Sequence, residues 1–188
     1  MCMKKTFRYR IRLSKSAETN LKNHLELCRQ LYNLALEQRI TIWKNYRKSI
    51  SIYDQSKQLP DLKKAFPEFK QVNSQALQDV IERLGKAFDG FFRRIRKGQK
   101  PGFPRFRGYN RHDSVTLKQT GWKLEGRYLT ITNIGKIKLF LSRPMEGEIK
   151  TVTICRTATG KWFVCFSCNN VAEKILPDTG RETGIDVG

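Results

Sequence analysis

The hydrophobic period of this chain changes twice, and this constrains the fold more than any other feature. Residues 6–13 alternate strictly, with apolar side chains on one side and arginines on the other. Such alternation is typical of a half-buried β-strand. Over residues 14–98 the apolar positions recur at steps of three and four, as they do in amphipathic helices. From residue 113 the period of two returns. The pattern predicts an α+β fold in which helices interrupt a β-structure.

Two long helices are predicted between these β-regions. The first begins after Ser14, a residue type that caps helix N-termini, and the second runs from about Asn73 to Gly98. The second helix is expected to bury one apolar stripe along its whole length. Two prolines within residues 59–69 indicate a loop or a broken helix between the two. The apolar stripe consists of Leu77, Val80, Ile81, Leu84, Phe88, Phe91 and Ile95.

Five strands are predicted in the second half of the chain. A turn at Ala158–Gly160 is expected to join the last two as a hairpin. One strand, then helices, then five strands predicts an antiparallel β-barrel or sandwich with a helical insertion, in which the first strand pairs back into the later sheet. The five strands are placed at residues 114–118, 122–132, 134–141, 148–156 and 161–168.

Charge indicates the class of partner. The 188 residues carry a formal net charge of +20, and the excess is concentrated in residues 1–50 and 86–111. The second of these segments has nine basic side chains and one acidic side chain. A solvated basic surface without a partner is disfavoured, because such self-repulsion destabilises a fold unless a polyanion neutralises it. Nucleic acid is therefore the predicted partner.

Aromatic residues are interleaved with cations in the segment that follows the second helix. Phe103, Phe106 and Tyr109 stand among arginines, glycines and prolines. Rings in this setting can pack on bases or sugars while the cations follow phosphates. The alternative is that the rings anchor the segment to the domain. Anchoring is favoured for any single ring, and nucleic-acid binding for the basic cluster as a whole.

Neither a membrane nor a disulfide framework is predicted. No apolar run approaches the length of a membrane span and the N-terminus lacks a signal peptide, so a cytoplasmic protein with reduced cysteines is expected. Cys165 and Cys168 form a C-x-x-C without a second pair. Positions three apart in a strand face opposite sides, which favours ordinary strand cysteines over a zinc site.

One carboxylate near the end of the chain is a candidate metal ligand. Asp186 lies between apolar neighbours in the segment GIDVG. A carboxylate on a short strand can hold a hard divalent cation. An isolated aspartate is more often a turn residue, and a two-metal nuclease needs several carboxylates.

Several segments, taken in order, resemble one known family. They include KKTFRYRIRL at the start, KPGFPRFRG after the second helix, GKWFVCFSC near residue 165 and GIDVG at the end. The chain resembles the N-terminal half of TnpB, the RNA-guided DNA endonuclease encoded by insertion sequences, also labelled an OrfB-type accessory transposase. It is also similar to the miniature CRISPR effectors related to TnpB.

This resemblance implies a division of the chain and a set of partners. It implies a wedge-type, OB-like β-barrel formed by residues 1–13 and 113–170, with a helical recognition domain at residues 14–98 and a basic aromatic connector at residues 99–112. Residues 171–188 would be a linker and the first strand of an RNase H-like RuvC domain, and Asp186 its first Mg²⁺-binding carboxylate. The implied partners are a guide RNA and double-stranded target DNA. The oligomeric state stays open.

The side chains expected to contact nucleic acid come from β-, helical and connector segments. By the resemblance, the polar face of the second helix and the stretch around residue 114 would lie near the DNA duplex that is read; a solvated helix face is the open alternative. The expected contact residues are Arg8, Arg10, Arg12, Gln75, Gln78, Lys86, Arg93, Arg94, Arg96, Lys97, Lys100, Arg105, Phe106, Arg107 and Ser114.

A full-length relative would cut DNA with Mg²⁺, whereas this chain, with a single such carboxylate, is expected to bind without cutting and without a cofactor of its own. Two alternatives are a stand-alone RNA- or DNA-binding regulator from a truncated transposase gene and an RNA-structural protein of ribosomal type. The GIDVG ending speaks against the ribosomal type. The expected location is the prokaryotic cytoplasm, in association with the nucleoid.

Overall fold

The computed structural model describes residues 2–173 and residue 184. It contains seven strands, four α-helices and one short 3₁₀-helix within those residues. The α-helices are α1 (Lys15–Tyr46), α2 (Ile52–Lys57), α3 (Leu59–Ala65) and α4 (Ser74–Arg96), with the 3₁₀-helix at Pro67–Gln71. The strands are β1 (Cys2–Arg12), β2 (Ser114–Leu117), β3 (Trp122–Glu125), β4 (Tyr128–Ile131), β5 (Gly135–Phe140), β6 (Glu148–Arg156) and β7 (Trp162–Ala172).

All seven strands form one antiparallel sheet that curls into a nearly closed barrel. The strand order is β2-β6-β7-β1-β5-β4-β3. The first strand of the chain thus lies in the middle of the sheet, paired with β7 on one side and β5 on the other. This confirms the prediction that the first strand pairs back into the later β-structure, with the helices inserted between them.

The alternation seen in the sequence decides which side of β1 faces the core. Phe7, Tyr9 and Ile11 are buried, while the arginines between them are exposed. The buried side chains pack with those of the neighbouring strands, such as Phe166, whose ring centroid is 6.1 Å from that of Tyr9. The Tyr9 hydroxyl donates a hydrogen bond to the Arg143 carbonyl oxygen, so this buried phenol is satisfied.

The helical insertion is built on α1 and α4. Ser14 caps α1, accepting a hydrogen bond from the Ala17 amide, and Asn73 caps α4 in the same way through the Gln75 amide. The two helices pack against each other through their apolar stripes, and the region of two prolines between them forms the short helices rather than one long element. These features confirm the predicted caps and the predicted broken helix.

One predicted strand is wrong. The segment 122–132 forms two strands, β3 and β4, which pair with Glu125 opposite Tyr128. The two residues between them make a tight hairpin turn in which Gly126 has a φ of 56°. Glycine adopts this left-handed conformation without steric cost, which is why the chain reverses there. The glycine in the sequence was the available signal for this turn.

The predicted burial of the α4 stripe is also wrong for the last part of the helix. Its first four members are buried, Phe88 and Phe91 are half-buried, and Ile95 is exposed. The helix extends beyond the core, because its last buried residue is Gly85. An apolar surface is therefore left open at the C-terminal end of α4.

β7 continues to Ala172, two residues past the predicted end of the barrel. The predicted RuvC strand and Asp186 lie outside the described residues. No helix in the described part of the chain is long and apolar enough to cross a membrane.

Candidate nucleic-acid interface

The outer surface of β1 and its neighbours carries a dense group of cations, here called the barrel basic face. It is defined by Arg8, Arg10 and Arg12 of β1 and by Lys136 and Lys138 of β5. All five side chains are exposed. They share one side of the sheet because each alternates with a buried apolar residue.

The strand register brings like charges together on this face. Arg12 lies directly opposite Lys138, and Lys138 lies opposite Tyr128 on the next strand. Like charges at directly opposite positions destabilise a sheet unless an anion lies between them. The register therefore creates a position suited to a phosphate group.

Aromatic rings flank the arginines of the barrel basic face. Arg10 lies opposite Phe140 on one side and Phe163 on the other. The guanidinium carbon of Arg8 is 3.9 Å from the Phe163 ring centroid. Such stacking holds guanidinium groups in a fixed orientation while leaving their N–H groups available to phosphate oxygens.

α4 docks on the outside of β2 through a polar cluster centred on Arg83. The Arg83 Nη1 donates to the Ser114 hydroxyl at 2.8 Å, and Nη2 donates to the Thr116 hydroxyl at 2.8 Å. Its Nε is 2.6 Å from a carboxylate oxygen of Asp79, which is 8% exposed. This cluster fixes the angle between the helical insertion and the barrel.

Two residues predicted to contact DNA already make side-chain hydrogen bonds within the chain. The Gln75 side-chain oxygen accepts hydrogen bonds from the backbone amides of Lys118, Gln119 and Thr120. The Ser114 hydroxyl accepts from Arg83. Both groups thus serve the contact between α4 and the segment that begins at β2. Gln78, Lys86 and Arg93 by contrast are exposed.

The connector is anchored to α1 through Arg107. The Arg107 backbone amide donates to the Asn33 side-chain oxygen, and its carbonyl oxygen accepts from Arg29 and Asn33. Its guanidinium carbon is 4.1 Å from the Tyr32 ring centroid, and its Nη1 donates to His112 Nδ1 at 2.6 Å. Arg107 therefore anchors the connector to α1 through both its backbone and its side chain.

The other predicted cations of α4 and the connector lie at the surface. The basic end of α4 and the connector residues that follow it are exposed, as is the ring of Phe106. These exposed cations continue the basic surface away from the barrel, past the docked part of α4. The exposed members of the predicted set here are Arg93, Arg94, Arg96, Lys97, Lys100 and Arg105.

Sequence reasoning missed the roles of Arg83, Asp79, Lys136 and Lys138. The i, i+4 spacing of Asp79 and Arg83 was a usable signal for an ion pair on one helix face. The part that Lys138 plays depends on its position opposite Arg12, a contact between residues 126 positions apart. No local pattern specifies that register.

Cys155 and Cys165 form a pair of neighbouring thiols on the outer side of β6 and β7, close to Arg8. A hydrogen bond from the Cys165 thiol lowers the pKa of Cys155 to about 6, and the Arg8 charge also lowers it. The pKa of Cys165 is raised, because it donates that hydrogen bond. Cys168 faces the opposite side and is buried, as the strand alternation predicted.

We expect Cys155 to react with iodoacetamide at lower pH than the other described cysteines. Modification of Cys155, followed by peptide mass spectrometry, should be half-maximal near pH 6, because the thiolate is the reactive form. Cys165→Ala should move this midpoint up towards the ordinary thiol value of about 8.5. Cys28 is the internal control, since burial raises its pKa to about 12. A Cys155 midpoint above pH 8 in the unaltered chain would contradict this expectation.

Among the described residues, no group of three or more histidine, cysteine, aspartate or glutamate side chains is placed to hold a metal ion.

Residues 1–48 match the family described as a helix-turn-helix domain of the OrfB_IS605 kind. In the structure these residues include β1 and the whole of α1, which is one unbroken helix rather than two helices joined by a turn.

A curated relative from Streptomyces pristinaespiralis, named "Putative RNA-guided DNA endonuclease", is 28% identical over 192 residues. The match covers 99% of this chain and 46% of that protein, so the chain spans about half the length of its relative.

A solved structure described as a Cas12f1–sgRNA–target DNA complex covers 95% of this chain and 50% of its own, at 12% identity and a TM-score of 0.45. That score is too low to establish a shared fold. The family match over the first 48 residues and the relative that aligns with nearly the whole chain support the resemblance to TnpB that the motifs quoted above indicate.

Proposed function

We propose that this chain is the guide-RNA- and DNA-binding part of an RNA-guided DNA endonuclease. The observation that carries the proposal is the direct opposition of Arg12 and Lys138 on the barrel basic face. This arrangement costs stability in the unbound protein and favours an anion between the two strands. The relative's name supports a nucleic-acid partner of this class.

The proposed interface consists of the barrel basic face, the exposed polar side chains of α4 and the exposed cations of the connector. Phosphate contacts of this kind position a nucleic acid without reading its sequence. Gln75, Ser114 and Arg107 enter the proposal as positioning residues, because their polar groups are engaged within the chain. Gln78 and Lys86 remain available to a duplex placed beside α4.

The proposed division of labour is a barrel at residues 1–13 and 113–170, a recognition domain at 14–98, a connector at 99–112 and a link to a RuvC domain at 171–188. Asp186 would be the first Mg²⁺-binding carboxylate of that domain. Because a two-metal centre needs several carboxylates, we also propose that this chain binds without cutting. Specific cleavage by the chain with guide RNA, target DNA and Mg²⁺ would refute this part of the proposal.

A salt titration tests the binding proposal. We expect the chain to bind a structured RNA hairpin and a DNA duplex with affinities that fall steeply with salt, because phosphate contacts release counterions. Replacing Arg10 and Arg12 together with glutamine should weaken binding and reduce the slope of log affinity against log salt by about 2, one unit for each lost phosphate contact.

Lys64→Gln together with Lys70→Gln is the charge-matched control. Both lysines are exposed and lie in the short-helix region, away from the barrel basic face. This control removes the same two charges and should leave the slope nearly unchanged. Equal loss in both double variants would mean that net charge alone, rather than the barrel basic face, drives binding.

A further inference from the structure

A groove opens where α4 extends beyond the core. It lies between the C-terminal half of α1, the chain that follows α1, the C-terminal half of α4 and the start of the connector. Its volume is about 560 Å³, within the range of ligand pockets. Its lining is mainly apolar and includes five aromatic residues, Trp43, Phe88, Phe91, Phe92 and Phe103.

The phenylalanine rings of this aromatic groove are held in place by one another. The Phe103 ring packs edge-on against Phe88 and Phe91, at centroid distances of 5.5 and 5.4 Å. Phe92 packs against Phe91 at 5.1 Å. Trp43 and Phe92 nevertheless remain 53% and 52% exposed. A ring such as Phe92, which is held by its neighbours and yet half open to solvent, is suited to stacking another flat ring.

Cations stand at the border of the groove. Lys44 and Lys48 line it together with Arg39, whose guanidinium carbon is 5.0 Å from the Phe88 ring centroid. Arg39 Nε donates to Gln55, but Arg39 Nη2 is shielded from solvent and has no hydrogen-bond partner within residues 2–173. A buried donor without an acceptor is costly, and a ligand with an acceptor atom would remove that cost.

These features select the chemistry of the occupant. The aromatic rings favour a flat group that can stack on them. The unsatisfied Arg39 donor favours an acceptor on or beside that group, and the lysines favour a negative charge. A nucleotide in a single strand supplies all three through its base, its ring acceptors and its phosphate. A second copy of this chain would bring a net charge of +20 against the same lysines, which opposes that pairing.

We propose that the aromatic groove binds an unpaired nucleotide of single-stranded nucleic acid, with its base stacked on Phe92 and Trp43. This inference rests on the proposed function and adds to it a site that accepts bases, whereas the barrel basic face accepts only phosphates. A paired base is already stacked within its helix, so the groove would discriminate against duplex.

The test compares strands that differ only in their bases. The chain is titrated with a fluorescein-labelled octa-adenylate RNA and with an abasic strand of the same length and charge. We expect the adenylate strand to bind about 10-fold more tightly, the size of effect typical of stacking one base on a protein ring. Deoxyadenylate serves as the parallel arm that separates RNA from DNA as the source of the strand.

Phe92→Leu is the informative variant, because leucine keeps an apolar side chain but provides no ring. It should reduce the adenylate-to-abasic ratio to near 1 and leave the abasic affinity unchanged. Phe66→Leu is the matched control, since Phe66 is 50% exposed on another part of the surface, and it should keep the ratio at about 10. Binding should also quench tryptophan fluorescence in the unaltered chain, and this quenching should be lost in Trp43→Phe.

The outcomes separate the two proposals. Equal binding of both strands by the unaltered chain overturns the base site but leaves the proposed function standing. The proposed function itself is overturned if the chain binds none of these nucleic acids, that is, neither the two single strands nor the RNA hairpin and the DNA duplex. Three other results would show that the groove does not bind a base. They are an unchanged adenylate-to-abasic ratio in Phe92→Leu, self-association of the chain that Phe92→Leu abolishes, and binding of an oligoglutamate peptide as tight as that of the adenylate strand.

Discussion

Replacing Arg83 with methionine is expected to lower the free energy of unfolding by about 3–5 kcal/mol, the largest effect of any single change considered. The substitution removes three hydrogen bonds to β2, two to Ser114 and one to Thr116, and leaves the carboxylate of the buried Asp79 without its cation. Removing one partner of a buried ion pair is costly because the remaining charge stays desolvated. Urea unfolding followed by circular dichroism measures the change.

Two further variants define the cause of this loss. Asp79→Asn combined with Arg83→Met should recover part of the stability, because no unpaired charge is then left behind. Lys86→Met, on the same helix at an exposed position, should change stability by no more than about 0.5 kcal/mol. A loss below about 1 kcal/mol for Arg83→Met would show that the polar cluster does not hold α4 to the barrel.

The second large effect is a loss of stability at acid pH that depends on His112. Burial, together with the nearby charges of Arg107 and Arg83, lowers the pKa of His112 to about 3. An unfolded histidine titrates near 6.5. The unfolded chain therefore binds more protons than the folded chain between these values, so this contribution is complete above pH 6.5 and is lost as the pH falls.

The expected size follows from the linkage between proton binding and unfolding. The slope approaches about 1.4 kcal/mol per pH unit, which gives about 2–3 kcal/mol between pH 6.5 and pH 4.5. His112→Gln retains an acceptor for Arg107 but does not titrate, so its stability should change less over this interval. Thermal unfolding at a series of pH values measures the difference between the two profiles.

His24→Gln is the comparison for this experiment. Burial also lowers the pKa of His24, but no arginine contributes to that shift. Its variant should flatten the acid profile less than His112→Gln does. Parallel profiles for His112→Gln and the unaltered chain would mean that carboxylates elsewhere account for the acid sensitivity.

The elements that sequence reasoning placed correctly are those that depend on neighbouring residues. The strict alternation of β1 determined that Phe7 and Tyr9 face the core and that Arg8 and Arg10 face outwards. The caps at Ser14 and Asn73 were read from residue type and position. The hairpin at Gly126 was missed because a long alternating run conceals a two-residue turn that preserves the period on both sides.

The candidate site was predicted less completely than the fold. The concentration of cations in residues 1–50 and 86–111 identified the surface that the structure shows as exposed. It did not reveal that Gln75, Ser114 and Arg107 are engaged within the chain, because each has its partner on another element. The Arg39 donor and the aromatic groove were missed for the same reason.

The sequence alone determined the α+β class, the insertion of helices after the first strand and the two faces of β1, and it led to the prediction of a polyanionic partner. These follow from periodicity and charge, which act over a few residues or over the chain as a whole. Only the tertiary structure decided that Lys138 faces Arg12, that Arg83 joins α4 to β2 and that the aromatic end of α4 stays uncovered. Register and docking depend on how distant segments fill the space between them, and no local pattern specifies that arrangement.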